Sequence, residues 1–82
     1  MNIQNLNFNE TKEYNFWYDY YTKSYKEFIL AMDINPIDAM INSYNNRVNS
    51  FELWTDSDEL DAFIIQTKAL ADAIVYLKKV GL

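Results

Sequence analysis

The last third of the chain constrains the fold most, because it is apolar on nearly every side of a helix. When residues 56–81 are placed at about 100° per residue, their apolar side chains fill two opposite sides. A narrow charged stripe separates the two sides on one margin. A helix that is apolar nearly all round is normally buried from more than one direction, so this segment predicts a long helix at the centre of the fold.

One of these two sides repeats at alternating spacings of three and four residues, as a packing seam does. Its alanines would let a neighbouring backbone approach closely, and a chain of this length builds only a small core. We therefore expect two copies to pair symmetrically through the seam as a homodimer. The alternative is that the helix lies in the middle of its own domain. The predicted self-association residues are Ala62, Ile65, Ala69, Ala73, Tyr76 and Val80.

The composition favours one small helical domain spanning residues 1–82. One Gly and one Pro are too few for the frequent turns of a β-sandwich. Half of the residues are hydrophobic and 17% are aromatic, which supplies material for a core and argues against disorder. Residues 1–8 are polar and rich in Asn, and we expect them to form an irregular arm.

The first helical pattern is aromatic and predicts a helix over about residues 10–33. Its predicted core face consists of Tyr14, Trp17, Tyr18, Tyr21, Tyr25, Phe28, Ile29 and Met32. Four further large apolar residues point away from that face. Such residues are either ordinary surface scatter or a contact patch, and we expect a patch that binds another protein. The predicted partner-binding residues are Phe16, Tyr20, Leu30 and Ile34.

Asn35 and Pro36 separate the first helix from the second. The residue before a proline is pushed out of helical geometry, while Asn is a good N-cap and Pro suits the first helical position. Helices are therefore expected at about residues 10–33, 36–52 and 56–80. Short connections favour antiparallel neighbours, so the expected fold is all-α, a three-helix antiparallel arrangement completed by self-association through the last helix.

The polar face of the second helix carries asparagines beside Arg47, the only arginine of the chain. A cluster of amides next to a guanidinium could form a hydrogen-bonding surface for a partner or an anion. The alternative is sequence drift in an AT-rich gene, which the heavy use of Asn, Lys, Ile and Tyr also suggests, and which points to a bacterium or a phage as the source.

The available side chains argue against catalysis. The chain has no Cys and no His, so thiolate metal sites and histidine-assisted serine nucleophiles are excluded. The acidic residues around the start of the last helix do not match a calcium loop, because Asp61 stands where such a loop needs glycine, and helix capping explains them better. We expect no enzyme activity, no catalytic residues, no cofactor and no metal site.

Charge and patterning restrict the partners. The net charge is −5 and Lys and Arg do not cluster, so direct nucleic-acid binding is not expected. Charged residues interrupt the apolar run of the last helix, which predicts no membrane insertion. The N-terminus lacks the basic start and the apolar core of a secretory signal, so we expect a cytoplasmic protein.

These observations favour a small non-catalytic regulatory or inhibitory protein that acts by binding another protein. Three alternatives stay open. One is an oligomeric protein that holds a nucleotide or another flat ligand between tyrosines of different copies. The second is an acidic mimic of nucleic acid that occupies a basic protein groove. The third is a small structural or assembly component.

Overall fold

The computed structural model describes residues 8–54 and 60–81 and confirms the all-α prediction, since every regular element within those ranges is helical. The first element is an uninterrupted rod with three parts: α1 (Phe8–Asp19), a π-helical segment (Tyr20–Tyr25) and α2 (Lys26–Ala31). It is followed by α3 (Pro36–Asn49), a short 3-10 turn (Phe51–Trp54) and α4 (Leu60–Lys79). Residues 1–7 of the predicted arm, which was expected over residues 1–8, and the acidic capping residues at 55–59 lie outside the described ranges, whereas Phe8 begins α1.

The connection between α2 and α3 follows the local chemistry of its residues. The Asn35 side-chain oxygen accepts hydrogen bonds from the backbone N–H groups of Ile37 at 2.9 Å and Asp38 at 3.1 Å. Pro36 occupies the first helical turn, where its missing N–H costs nothing. The N-cap prediction is therefore confirmed.

Two nested backbone hydrogen bonds end α2. The Asp33 N–H donates to the Leu30 carbonyl at 3.0 Å and the Ile34 N–H donates to the Ile29 carbonyl at 3.2 Å. This pattern requires a left-handed residue, and Asp33 supplies it with φ of 61°. The rod thus ends at residue 31, two residues earlier than the predicted boundary.

The π-helical segment changes which residues of the rod face the core. A π turn contains one more residue than an α turn, so every later residue is rotated by about 100° relative to a continuous α-helix. Ile29 is accordingly buried, with 7% of its surface exposed, whereas Phe28 is 62% and Met32 49% exposed. The prediction that Phe28 and Met32 belong to the core was wrong for this reason.

Thr22 supplies a polar partner inside the π-helical segment. Its side chain is buried, and its hydroxyl donates to the Tyr18 carbonyl at 2.9 Å. A threonine that bonds back to the carbonyl four residues earlier often accompanies a distorted helix. The hydroxyl therefore satisfies a backbone acceptor where the regular hydrogen-bond ladder changes.

The core lies where α4 packs against both the first rod and α3. Trp17, Tyr18, Tyr25, Ile41 and Tyr44 pack around its margin as half-buried side chains. In this arrangement the apolar side chains of α4 are buried from two directions within one chain. The buried cluster consists of Tyr21, Ile37, Met40, Leu70, Ala73, Ile74 and Leu77.

The seam predicted for self-association is largely covered by the first rod. Gln66 donates to the Tyr21 hydroxyl at 3.1 Å, and the Tyr76 ring lies 6.3 Å from that of Tyr18. Ala69 and Ala73 fall between these contacts on the same helical face, and neither exposes any surface. Close approach through small residues is present, but the neighbour is the chain's own rod.

Three of the six predicted self-association residues are therefore unavailable to a second copy in this fold, namely Ile65, Ala69 and Ala73. Half of the seam that motivated the homodimer is therefore buried inside the chain. Ala62 is half-buried, and Tyr76 and Val80 are exposed. Pairing through these three remaining residues stays a prediction. Among the described helices, none is both long and apolar enough to cross a membrane.

Candidate functional site

A stripe of three aromatic side chains and one methionine runs along the outside of the first rod. It consists of Phe16, Tyr20, Phe28 and Met32, and we call it the outer stripe. Phe16 and Tyr20 are four residues apart and therefore lie on the same side of an α-helix. The extra residue of the π turn then brings Phe28 to that side as well, about three turns after Phe16. Phe16 and Phe28 are each 62% exposed. The outer stripe is thus a product of the π-helical segment.

Packed rings hold the first half of the outer stripe in place. The Trp17 ring makes edge-to-face contacts with Phe16 at 5.1 Å and with Tyr20 at 5.7 Å between centroids. Tyr20 also contacts the rings of Tyr21 at 5.3 Å and Tyr25 at 5.8 Å. Because Tyr21 belongs to the buried core, these contacts anchor exposed rings to the interior.

All four predicted partner-binding residues are exposed: Phe16, Tyr20, Leu30 and Ile34. They do not share one face as continuous α-helical spacing predicts. The π turn moves Leu30 by about 100° away from the side of Phe16, and Ile34 lies beyond the end of α2. Whether any of them contacts a partner stays a prediction, and Phe28 joins the set for a reason that spacing alone did not reveal.

A second exposed feature is a tyrosine pocket between α1 and the end of α4, with a volume of about 460 Å³. Tyr14, Tyr18 and Tyr76 line it together with Asp72 and Lys79. The Tyr14 hydroxyl donates a hydrogen bond to Asp72 Oδ2. The pocket therefore combines ring faces with one carboxylate at the rim of the α1–α4 contact.

The polar groups of the tyrosine pocket affect one another electrostatically. Desolvation, followed by the hydrogen bond to Asp72 and its negative charge, raises the pKa of Tyr14 above its ordinary value. Desolvation and then the charges of neighbouring groups also raise the pKa of Tyr18. Lys68 Nζ lies 3.1 Å from Asp72 Oδ1, so the carboxylate already has two partners. Neither tyrosine is poised to ionise near neutral pH.

The opposite side of α4 carries a groove and a pocket that meet at Phe63. The apolar groove, of about 360 Å³, lies between α3 and α4 and is lined by Tyr44, Val48, Phe51 and Ile64 among others. The second cavity, which we call the arginine pocket, has a volume of about 410 Å³. Its polar lining comes from Ser43, Asn46, Arg47, Ser50 and Gln66, and its apolar lining from Ala62 and Phe63.

Arg47 is held against an aromatic ring. Its guanidinium carbon lies 5.3 Å from the centroid of Phe63, within cation–π range. The Ser50 hydroxyl donates to the Arg47 carbonyl at 3.1 Å and closes the end of α3. The sequence indicated the amides beside Arg47, but no spacing signal predicted Phe63, because that contact depends on how α3 packs on α4.

The acidic cluster weighed as a metal site falls mostly on residues 55–59, outside the described ranges. Among the residues that are described, no three potential ligands lie close enough together to hold a metal ion. The chain matches no family model, no curated protein and no solved structure.

Proposed function

We propose that this is a small regulatory or inhibitory protein that acts by binding another protein through the outer stripe. The observation that carries the proposal is the pair of exposed rings, Phe16 and Tyr20, that Trp17 holds in edge-to-face contact. Aromatic side chains fixed in this way present a large apolar area and lose little conformational entropy on binding.

The size of the exposed apolar surface supports this proposal. Full burial of one large apolar side chain contributes about 1.5–3 kcal/mol. Phe16 and Phe28 are each 62% exposed and Tyr20 is 37% exposed, so burial of the exposed part of the three rings could supply roughly 2–5 kcal/mol before the costs of association. Single exposed residues need no explanation. A row of rings along one side of a helical rod is typical of a helix that lies in an apolar groove of its partner.

The proposal is tested by crosslinking in the native host. A photo-reactive phenylalanine analogue replaces Phe16 in one strain and Leu30 in another, and the crosslinked proteins are identified by mass spectrometry. We expect a protein that is captured from position 16 and not from position 30. Its capture should fall at least about tenfold when Phe28→Ser is added, because two hot-spot rings act together.

Leu30→Ser is the matched control, since Leu30 is also exposed on the rod but lies on another side of it. Circular dichroism confirms that both serine variants remain folded. Equal capture from the two positions, or capture that Phe28→Ser leaves unchanged, would contradict binding through the outer stripe. Purified partner and protein then give the dissociation constant directly.

The tyrosine pocket favours a second candidate function, binding of a flat ligand against the rings of Tyr14, Tyr18 and Tyr76. The rings of Tyr14 and Tyr18 are nearly parallel, with centroids 6.2 Å apart and planes inclined by 18°. A ligand specific for the folded protein raises the melting temperature by mass action. Thermal shift with nucleosides and nucleotides, repeated on Tyr18→Leu, distinguishes this candidate from protein binding.

A further inference from the structure

We propose that the arginine pocket binds a carboxylate group that carries a small apolar substituent. The pocket shares no residue with the outer stripe or with the tyrosine pocket, so this inference goes beyond the proposed function. It depends on the placement of Arg47, on the lack of an ion pair between Arg47 and any carboxylate within residues 8–54 and 60–81, and on the apolar wall beside it.

The placement of Arg47 leaves its hydrogen-bond donors available. The guanidinium carbon of Arg47 lies 5.3 Å from the centroid of the Phe63 ring, and the five N–H donors of the guanidinium group point outward in its own plane. This fork matches the two oxygens of a carboxylate. The ring also limits the motion of the long side chain, so less rotamer entropy is lost when a ligand binds.

No carboxylate of the described residues occupies this fork. The ion pairs of Lys23 with Asp19 and of Lys68 with Asp72 lie elsewhere and do not involve Arg47. The other polar residues that line the pocket in the described part of the chain are uncharged, and Asn46 and Ser43 add neutral donors. Arg47 therefore gives the pocket a local positive charge within a protein of net charge −5.

The charge balance selects the kind of oxyanion. One guanidinium neutralises one carboxylate, whereas a phosphate dianion would keep an unpaired negative charge inside an acidic protein. The walls formed by Ala62 and Phe63 favour a ligand with an apolar part next to its carboxylate. A volume of about 410 Å³ accommodates a small branched acid.

The test is a titration followed by NMR of the backbone and side-chain amides. Three probes are compared: 3-methylbutanoate, its neutral analogue 3-methylbutanamide, and inorganic phosphate. We expect saturable shifts at Asn46, Ser50 and Phe63 with 3-methylbutanoate, and an apparent affinity at least about tenfold lower with the amide and with phosphate, because a hydrogen bond to a charged group is lost or mismatched.

Substitutions assign the binding to Arg47. Arg47→Gln should weaken 3-methylbutanoate at least about tenfold, and Arg47→Lys should weaken it as well, because lysine keeps the charge but lacks the fork. Lys23→Gln, which removes the same charge outside the pocket, should bind as the wild type does. Circular dichroism shows whether each variant is folded, and Arg47→Lys keeps a cation over Phe63 if Arg47→Gln unfolds.

Three outcomes overturn the proposal. The first is the absence of saturable shifts with 3-methylbutanoate when its concentration is raised into the millimolar range, where so small a ligand is expected to bind. The second is equal binding of the acid and the amide, which would show that the apolar part alone is recognised. The third is binding that Arg47→Gln and Arg47→Lys leave unchanged.

Discussion

The two sides of α4 that meet the rest of the chain differ in how completely they are closed. Toward the first rod, alanines allow close backbone approach and the margin is fastened by hydrogen bonds from Tyr14 and Gln66. Toward α3, the contact opens into the apolar groove and the arginine pocket, with Phe63 between them. We call the side toward the rod the closed side, because it is closed at its centre and opens only at its rim, in the tyrosine pocket. We call the side toward α3 the open side, because its cavities open beside Phe63.

The largest expected effect on stability comes from placing a negative charge on the closed side of α4, compared with the same charge on its open side. Ala69→Glu should lower the free energy of unfolding by roughly 3–5 kcal/mol, because it buries an unpaired carboxylate. Ala71→Glu, on the open side, should cost less than about 1 kcal/mol, since Ala71 lines the groove and can reach water. Urea denaturation followed by circular dichroism measures both.

That pair also tests the alternative that the seam joins two copies. If Ala69 were an intermolecular contact, Ala69→Glu would leave a folded monomer and abolish a dimer in analytical ultracentrifugation. Loss of the fold itself supports the closed side described here. A folded and stable Ala69→Glu variant would contradict it.

A smaller effect is expected at the fastened margin. Tyr14→Phe removes the hydrogen bond to Asp72 and should reduce the free energy of unfolding by about 1 kcal/mol. Tyr44→Phe is the matched control on the open side, because the Tyr44 hydroxyl donates to no described residue there. We expect the control to change stability by less than about 0.5 kcal/mol. Equal losses in the two variants would show that the margins are not different.

The dependence on pH sharpens the same contrast. The raised pKa of Tyr14 means that the folded protein keeps this proton at pH values where the unfolded chain, with a tyrosine pKa near 10, releases it. Stability is therefore fully present below about pH 10 and falls as the pH rises further. Denaturation at pH 9 and pH 11 should show a smaller fall for Tyr14→Phe, while Tyr18 maintains part of it. An unchanged fall would exclude Tyr14 as a source.

The smallest effect is expected in the groove. Val48 is 49% exposed, so the nearly isosteric Val48→Thr should change the free energy of unfolding by no more than about 0.5 kcal/mol. Ile65→Val, in the closed seam, deletes one methyl group from a side chain that is 1% exposed and should cost about 0.5–1.5 kcal/mol. Thermal denaturation measures the difference. A larger loss at Val48 would place the groove in the core.

Local chemistry could be predicted from the sequence where a few neighbouring residues decide the outcome. The cap at Asn35 depends on backbone N–H groups only two and three residues away. The helical class followed from spacing in the same way. Such features need no knowledge of what packs against them.

Contacts between distant elements were not predictable in this way. The seam of Ala69 and Ala73 was identified as a packing face, but periodicity does not show whether a second copy or the chain's own rod covers it. The exposure of Phe28 and Met32, which were predicted to lie in the core beside Ile29, was also missed, because the tyrosines of residues 20–25 fit both α-helical and π-helical spacing. The meeting of Arg47 and Phe63 depends on the position of α3 against α4.

The π-helical segment at Tyr20–Tyr25 contains one residue more than a continuous α-helix of the same length would need. Tyr21, within this segment, and Ile29, after it, are both buried in the core, while exposed Ser24 lies between them. A version of the protein shortened by that one serine would keep the same side chains against α4 with an uninterrupted ladder of hydrogen bonds. Length in this stretch is therefore free to vary by one residue, whereas length elsewhere in the rod is not.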